Sequence, residues 1–422
     1  MTRVVVIGGG PGGYEAALVA AQLGADVTVV DRDGLGGSAV LTDCVPSKAL
    51  IAVAEVMTAT VESGQLGVRL DDLAPTPHSV TADLGVVNDR VKRLAAAQSD
   101  DVHDRLVRDG VRIIRGLGRL EGPAHVLATP VVGEPELLDA DVVLVSTGAR
   151  PRVVPDAVPD GERILTWEQV YDLPELPERL IVVGSGVTGA EFASAYHALG
   201  SDVVLVSSRD RVLPGEDPDA AHVLEEVFAR RGLTVMGRSR MASVARTDTG
   251  VAVTLTDGRV VEGSHALIAV GSVPNTEGLG LVESGVRLSD SGFVEVDRVS
   301  RTSARGVYAA GDCTGVLMLA SVAAMQGRIA MWHALGDAVD PLDLRTVSSN
   351  VFTDPEIATI GVTQADLDSG AEDVRVVKLP LATNARAKMQ GLSDGFVKLF
   401  CRPGTGIVVG GVVVAPQASE LI

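Results

Sequence analysis

One pattern occurs twice in this chain, and it restricts the fold more than any other feature. Residues 3 to 31, RVVVIGGGPGGYEAALVAAQLGADVTVVD, and residues 179 to 207, RLIVVGSGVTGAEFASAYHALGSDVVLVS, share their length and their order of parts. Each opens on a short apolar run, passes through G-x-G-x-x-G, continues into an Ala-rich stretch ending in Leu-Gly and closes on a second apolar run. That order spells strand, tight turn, helix, strand, and the helical crossover makes the two strands parallel neighbours. Gly184 follows Gly8 by 176 residues, a spacing that fits a duplicated domain and not a solenoid.

The glycines carry chemistry as well as geometry. In the first copy Gly8 permits the sharp turn, Gly10 lets a pyrophosphate approach the backbone, and Gly13 lets helix and strand pack closely, with the free N–H groups of the helix start facing the phosphates. An acid at the end of the following strand binds ribose hydroxyls, and Asp31 stands there, 23 residues after Gly8. The competing reading is a purely structural turn with Asp31 solvated. In the second copy, Gly184, Gly186 and Gly189, the equivalent position is Ser207, with Arg209 and Arg211 close behind. A carboxylate there repels a 2′-phosphate, whereas a hydroxyl and guanidinium groups accept it, so NADPH use at least equal to NADH is expected. Against this, both arginines also fit a solvated loop. Two dinucleotide sites in one chain imply a relay between a tightly bound flavin and a dissociable nicotinamide.

At 422 residues the chain is too long for one ordinary core, and two or three domains are expected. Helical spacing covers 46–64 and 84–109, and DADVVLVSTGARP (139–151) is a strand ending in a Gly-Pro break. Residues 251–263 form a hairpin around Asp257-Gly258. RGVYAAGDCTG (305–315) is a strand running into a Gly-Asp turn, followed by a helix from about Ser321 to Leu335. From Arg345 on, VFTDPEIATIGVT, GFVKLFCR and GIVVGGVVVAP read as antiparallel strands of a third unit. The net charge of −19 repels phosphate backbones and anionic lipid, which argues against nucleic acid as a partner. Three scattered cysteines, Cys44, Cys313 and Cys401, define no disulfide framework and suit a reducing compartment. The start, MTRVVVIGGG, runs directly into a strand without a charged leader or long apolar run, so a cytoplasmic protein with no membrane span is expected, and no metal site is expected.

Further stretches carry a family likeness: GGSAVLTDCVPSK, STGARP, Glu191 within the second fingerprint, VGSVPN, AAGDCTG and FTDPEIATIGVT. With the two fingerprints, they make the chain resemble, over nearly its whole length, the flavoprotein disulfide reductases of dihydrolipoamide dehydrogenase type. The resemblance implies an α/β fold of two Rossmann-like domains plus a C-terminal α+β dimerisation domain, and hence a homodimer. The FAD domain would be 1–150 with 271–342, the NAD(P) domain 151–270 and the dimerisation domain 343–422. FAD would sit at Gly8, Gly10, Gly13, Asp31, Gly37, Lys48, Thr147, Gly148, Gly311 and Asp312, with Asp312 bonding the ribityl chain. NAD(P) would sit at Gly184, Gly186, Gly189, Ser207, Arg209 and Gly271. Lys48 would pair with Glu191 beside the isoalloxazine. Without the resemblance, Asp312 reads equally as a turn residue or helix cap, and Lys48 and Glu191 as surface charges.

The chain departs from the family at its sulfur chemistry. The family's redox motif has two cysteines five positions apart; here those positions are Ala39 and Cys44. The seven histidines are His78, His103, His125, His197, His222, His265 and His333, so none falls in the last 89 residues, where the family carries an acid/base histidine. A dithiol–disulfide exchange needs a thiolate and a proton donor. Cys44 keeps two readings, a low-pKa thiolate beside the flavin or a small buried hydrophobe. Cys313 and Cys401 lie in strand-like runs and are expected in the core. Arg386 and Lys388 form either a solvated cluster or part of an anion-attracting cleft. The resemblance then implies an FAD-dependent NAD(P)H dehydrogenase of the quinone-reductase branch, passing electrons to a quinone-type acceptor without a disulfide relay. Lys48, Glu191 and Cys44 are the residues nearest the chemistry. A soluble NAD(P) transhydrogenase, a single-cysteine disulfide reductase and a non-catalytic redox or nucleotide sensor are the alternatives.

Overall fold

The computed structural model describes residues 1–77 and 79–422; His78 lies outside the described residues. The chain divides into two compact units, Met1–Pro46 with Lys92–Pro151 and Ser272–Asp343, and Ser47–Val91 with Arg152–Gly271 and Leu344–Ile422.

The first unit is built on a sheet in the order Val307–Ala309, Val142–Val145, Arg3–Ile7, Asp26–Asp31, Arg112–Leu120, all parallel, and then His125–Pro130 and Glu136–Asp139, antiparallel. Arg3–Ile7 is central, and Val4 to Ile7 are all buried, as a strand covered on both faces requires. Helices Pro11–Gln22 and Ala320–Ala334 cover one face and touch through glycine. A Cβ on Gly327 would lie 2.0 Å from the Gly12 carbonyl oxygen, so the two backbones meet where no side chain intervenes.

Three strands of this unit were not legible as strands. In Arg112–Leu120 the inward positions alternate regularly, but two of them are Gly116 and Gly118. A Cβ on Gly116 would meet the Thr129 carbonyl oxygen at 2.2 Å, and one on Gly118 would meet Ile7 at 3.0 Å. Close packing excludes the apolar side chains that would have advertised the alternation, while Leu117 points outward.

The second unit holds a parallel sheet, Thr234–Met236, Asp202–Val206, Arg179–Val183, His265–Ile268, Ile164–Leu165, beside an antiparallel sheet of Met241–Arg246, Val251–Leu255 and Val260–Gly263. The expected hairpin turns at Gly258, whose φ of +87° needs glycine. Residues 344–422 form five antiparallel strands in the order Ser349–Val351, Glu356–Gly361, Val408–Ala415, Phe396–Cys401, Arg375–Pro380. Two of these exceed the expected three, because Ser349–Val351 is only three residues long and Arg375–Pro380 is an edge strand with no fully buried face.

The stretch Gly37–Leu66 is long and apolar enough, by length and composition, to cross a membrane. It is not one rod: helix Gly37–Leu41 stops at Thr42, helix Cys44–Glu62 begins anew, and a 3₁₀ turn follows at Ser63–Leu66. Its Leu50, Ile51, Ala54 and Met57 belong to the core of the second unit.

Candidate active site

The two fingerprints fold into turns of the same kind. After strand Arg3–Ile7, Gly8 takes φ +102° and donates its N–H to the Val30 carbonyl at 2.8 Å; after Arg179–Val183, Gly184 takes φ +112° and donates to Val206 at 2.9 Å. A Cβ on Gly8 would strike the Ser146 carbonyl oxygen at 2.3 Å, and one on Gly184 the Ala269 carbonyl oxygen at 2.2 Å. Gly13 and Gly189 are blocked in the same way, at 1.9 Å from Gly8 O and 1.8 Å from Gly184 O. The middle glycines are different. A Cβ on Gly10 would meet only Gly37 Cα, at 4.0 Å, and one on Gly186 nothing within 4 Å. Each middle glycine is the N-cap of the helix that follows, Pro11–Gln22 or Val187–Leu199, with no side-chain cap. The first N–H groups are thus left for an anion.

In the first unit, Gly37, at φ +58°, walls the turn: a Cβ there would come within 2.8 Å of Gly10 Cα. Asp31 accepts from Gly9 N–H at 2.7 Å through Oδ2 and from Asp33 and Gly34 N–H at 3.0 and 2.6 Å through Oδ1. Three donors on two carboxylate oxygens leave lone pairs for a sugar hydroxyl. Thr147 is tied by its hydroxyl to the Asn275 carbonyl at 2.6 Å, Asn275 returns an amide bond to Thr147 at 2.9 Å, and Gly148 turns at φ +67°. Gly311 turns at φ +84° and donates to buried Gln326 at 2.8 Å, presenting Asp312.

Burial, reinforced by the negative charge of Asp43, pushes the Asp312 carboxyl up to about 6. A carboxyl that holds its proton more tightly folded than unfolded loses stabilising power as pH rises from about 3.8 to about 6, and the penalty persists above that range at roughly 3 kcal/mol. In flavin-free protein, Asp312→Asn is therefore expected to raise stability more at pH 8 than at pH 5, measured by denaturant unfolding. An equal gain at both pH values would show that Asp312 titrates normally.

In the second unit, Lys48 Nζ lies 2.9 Å from Glu191 Oε2 and 4.8 Å from the centroid of the Phe352 ring. The other oxygen of Glu191 accepts the Phe352 backbone N–H at 2.9 Å. The Glu191 side chain is 5% exposed and that of Lys48 33%, so this is a partly buried, oriented pair and not two surface charges. Ser207 differs from what its position suggests. It is fully buried, and its hydroxyl shares a 2.7 Å bond with that of Ser185, inside the glycine turn, and accepts from Arg209 N–H at 3.1 Å. Ser208 and Arg209 are the residues exposed at this strand end. Gly271, at φ +96°, lies two residues after Ala269.

No disulfide joins any of the three cysteines. Cys44 is half-buried at the first position of helix Cys44–Glu62. Cys313 is fully buried as expected, but in the 3₁₀ turn Asp312–Thr314 and not a strand, and burial pushes its thiol up to about 11, which leaves it unreactive. Cys401 is only half-buried at the end of Phe396–Cys401, which corrects its expected place in the core. Arg386 and Lys388 are exposed on the short helix Ala385–Met389. Among the described residues no His, Cys, Asp and Glu group has the makings of a metal site. Sequence reasoning missed the Phe352 N–H, Ser185, Gln326 and Asp43. No local pattern signals them, because each acts through a contact far away in the chain.

The candidate residues thus form two sets: a glycine turn with Asp31, Thr147 and Asp312 in the first unit, and a second turn with the Lys48–Glu191 pair in the other. Residues 2–327 match the pyridine nucleotide-disulphide oxidoreductase family and residues 347–422 its dimerisation domain, so the chain belongs to this family of flavoprotein disulfide reductases, which use FAD and NAD(P)H. The chain is 57% identical over 431 residues to an NAD(P)H dehydrogenase (quinone) of Mycobacterium tuberculosis, covering 100% of this chain and 86% of that protein. It is 34% identical to a dihydrolipoyl dehydrogenase of Zymomonas mobilis, covering 99% and 89%. Among solved structures, LpdA from Mycobacterium tuberculosis superimposes with a TM-score of 0.94 at 56% identity, covering 100% of this chain and 92% of that one. The fold is shared also by the HOCl-induced flavoprotein disulfide reductase RclA from Escherichia coli, at a TM-score of 0.86 and 22% identity, covering 99% and 91%.

Proposed function

We propose that this chain is an FAD-dependent NAD(P)H dehydrogenase that delivers electrons to a quinone-type acceptor without a disulfide relay. The observation that carries this is Ala39 standing five residues before Cys44, where a disulfide relay needs a second cysteine. No sulfur pair is available to take electrons from the cofactor, and a flat acceptor needs none. The 57% identity to a protein named NAD(P)H dehydrogenase (quinone) supports the same acceptor class.

The residues present fit the dinucleotides the family uses. At each turn the outer glycines are blocked by protein backbone while the middle one faces open space, which suits a pyrophosphate lying against Gly10 or Gly186. Bound FAD supplies the hydride and electron chemistry. In our reading Gly8, Gly10, Gly13 and Gly37 hold its pyrophosphate, Asp31 a ribose hydroxyl, and Asp312 the ribityl chain, with Thr147 and Gly148 fixing the neighbouring strand end. Gly184, Gly186, Gly189 and Gly271 would hold NAD(P)H, with Arg209 offering a guanidinium to a 2′-phosphate and Ser207 anchoring the turn from beneath. Glu191 holds the Lys48 ammonium in one orientation. Two copies joined through residues 347–422 would form the working enzyme, in the cytoplasm, where thiols stay reduced.

The test is Cys44→Ser. NADPH oxidation with menadione is expected to stay within about twofold of wild type, because serine keeps the shape and removes only the thiol. Loss of turnover, or reduction of lipoamide by the wild-type enzyme, would return the chemistry to sulfur.

A further inference from the structure

We propose that Lys398, in the C-terminal sheet, is a positioning residue for nicotinamide nucleotide binding: through Asp217 it holds the far end of the loop that leaves the nucleotide-facing strand. This rests on reading Gly184 to Ser207 as the NAD(P)H site.

Residues 207–217 join strand Asp202–Val206 to helix Pro218–Arg231. The near end is fastened to the glycine turn twice, by the Ser207–Ser185 hydroxyl bond of 2.7 Å and by Leu213 N–H donating to the Ser185 carbonyl at 2.8 Å. Leu213 sits at φ +49°, a conformation leucine adopts only where its surroundings impose it. Val212 N–H donates to Glu225 at 2.6 Å. Asp217 closes the loop. It is the N-cap of the helix, accepting from Asp219 N–H at 2.9 Å through Oδ1.

The second oxygen of Asp217 accepts from Lys398 Nζ at 2.9 Å. The two side chains are 4% and 3% exposed, and Lys398 also donates to Asp219 Oδ2 at 3.0 Å. Lys378, from the edge strand of the same sheet, pairs with the other oxygen of Asp219 at 3.1 Å. An apolar contact would secure the packing without desolvating an ammonium, whereas an ion pair fixes direction as well as distance. What that direction governs is the loop bearing Arg209 and Arg211, which have no carboxylate partner among the described residues. Because Ser185 lies inside the Gly184–Gly189 turn, a displaced loop disturbs the turn itself. Removing Lys398 leaves the Asp217 carboxylate buried and uncompensated, so the helix start moves toward water and draws residues 212–216 with it.

The experiment uses the FAD-loaded full-length enzyme and three variants, Lys398→Met, Asp217→Asn and Lys378→Met, each measured for NADP⁺ and NAD⁺ dissociation constants, for KM and kcat, and for Tm. Lys398→Met is expected to weaken NADP⁺ binding and raise the NADPH KM about tenfold, with kcat at saturation near wild type. Asp217→Asn keeps the cap and leaves Lys398 paired to Asp219, so it folds even if Lys398→Met does not, and it is expected to weaken binding in the same direction, by less. Lys378→Met removes a neighbouring cation without touching Asp217 and is expected to leave nucleotide affinity unchanged. Wild-type affinity in the first two variants, or affinity that merely follows Tm across all three, would overturn the proposal. A wild-type enzyme that binds neither nucleotide would instead overturn the assignment of the Gly184 turn on which it rests.

Discussion

Replacing Gly186 with valine is expected to yield a folded, yellow flavoprotein that dithionite bleaches and NADPH does not. A Cβ at this position meets no protein atom within 4 Å, so the chain itself has room for the side chain, and the cost to stability should stay within about 1 kcal/mol. On the proposed reading of this turn as the NAD(P)H site, the room is where a pyrophosphate would approach the backbone and the uncapped N–H groups of helix Val187–Leu199. Two methyl groups there hold the nucleotide off by more than an ångström, enough to reduce the rate of NADPH-dependent reduction by roughly 100-fold or more. Gly189→Ala is the contrasting case: its methyl would lie 1.8 Å from the Gly184 carbonyl oxygen, so the turn cannot form and the unit should misfold. Anaerobic absorbance spectra before and after each reductant read the result. Rapid bleaching of the valine variant by NADPH would remove the nucleotide from this turn.

Glu191→Ala is expected to be among the most damaging substitutions in the second unit. The carboxylate is 5% exposed and joins two partners, Lys48 at 2.9 Å and the Phe352 N–H at 2.9 Å. Its removal takes the acceptor from the Phe352 N–H and this carboxylate from a Lys48 ammonium that is one-third exposed, a loss of about 2–3 kcal/mol. Glu191→Gln retains the shape and the bond from Phe352 but not the charge, so its loss should be smaller, about 1–2 kcal/mol. Both variants should also slow reduction by NADPH, because the Lys48 side chain is no longer held in one orientation. Denaturant midpoints and single-turnover reduction rates measure the two effects separately. An alanine variant as stable as wild type would show that the pair contributes nothing to holding the helices together.

How much of this was legible follows from the range over which each feature acts. The duplicated turns were readable because the constraint is local: Gly8 and Gly184 need positive φ, and Gly13 and Gly189 face carbonyl oxygens five residues back. Helix Cys44–Glu62 was placed to within about two residues by its apolar spacing. The strand Arg112–Leu120 was not, since glycine stands at two inward positions where valine or isoleucine would have revealed the period, and His125–Pro130 and Glu136–Asp139 were not because they are only six and four residues long. The Lys48–Glu191 pair followed from family likeness; the Phe352 N–H that completes it had no signature, lying 161 residues from Glu191. Ser207 was placed correctly along the chain but its hydroxyl turns inward, because position alone does not say which neighbour, Ser185 or solvent, claims it.

The crossing of helices Pro11–Gln22 and Ala320–Ala334 sets a limit on how such a protein can be altered. Gly12 and Gly327 are separated by most of the chain, yet a methyl on Gly327 would meet Gly12, and the obstacle at 2.0 Å is a carbonyl group of the main chain. Trimming a neighbouring side chain cannot make room for it. Libraries that randomise Gly327 should return glycine alone, and no second-site suppressor should emerge short of one that moves a whole helix.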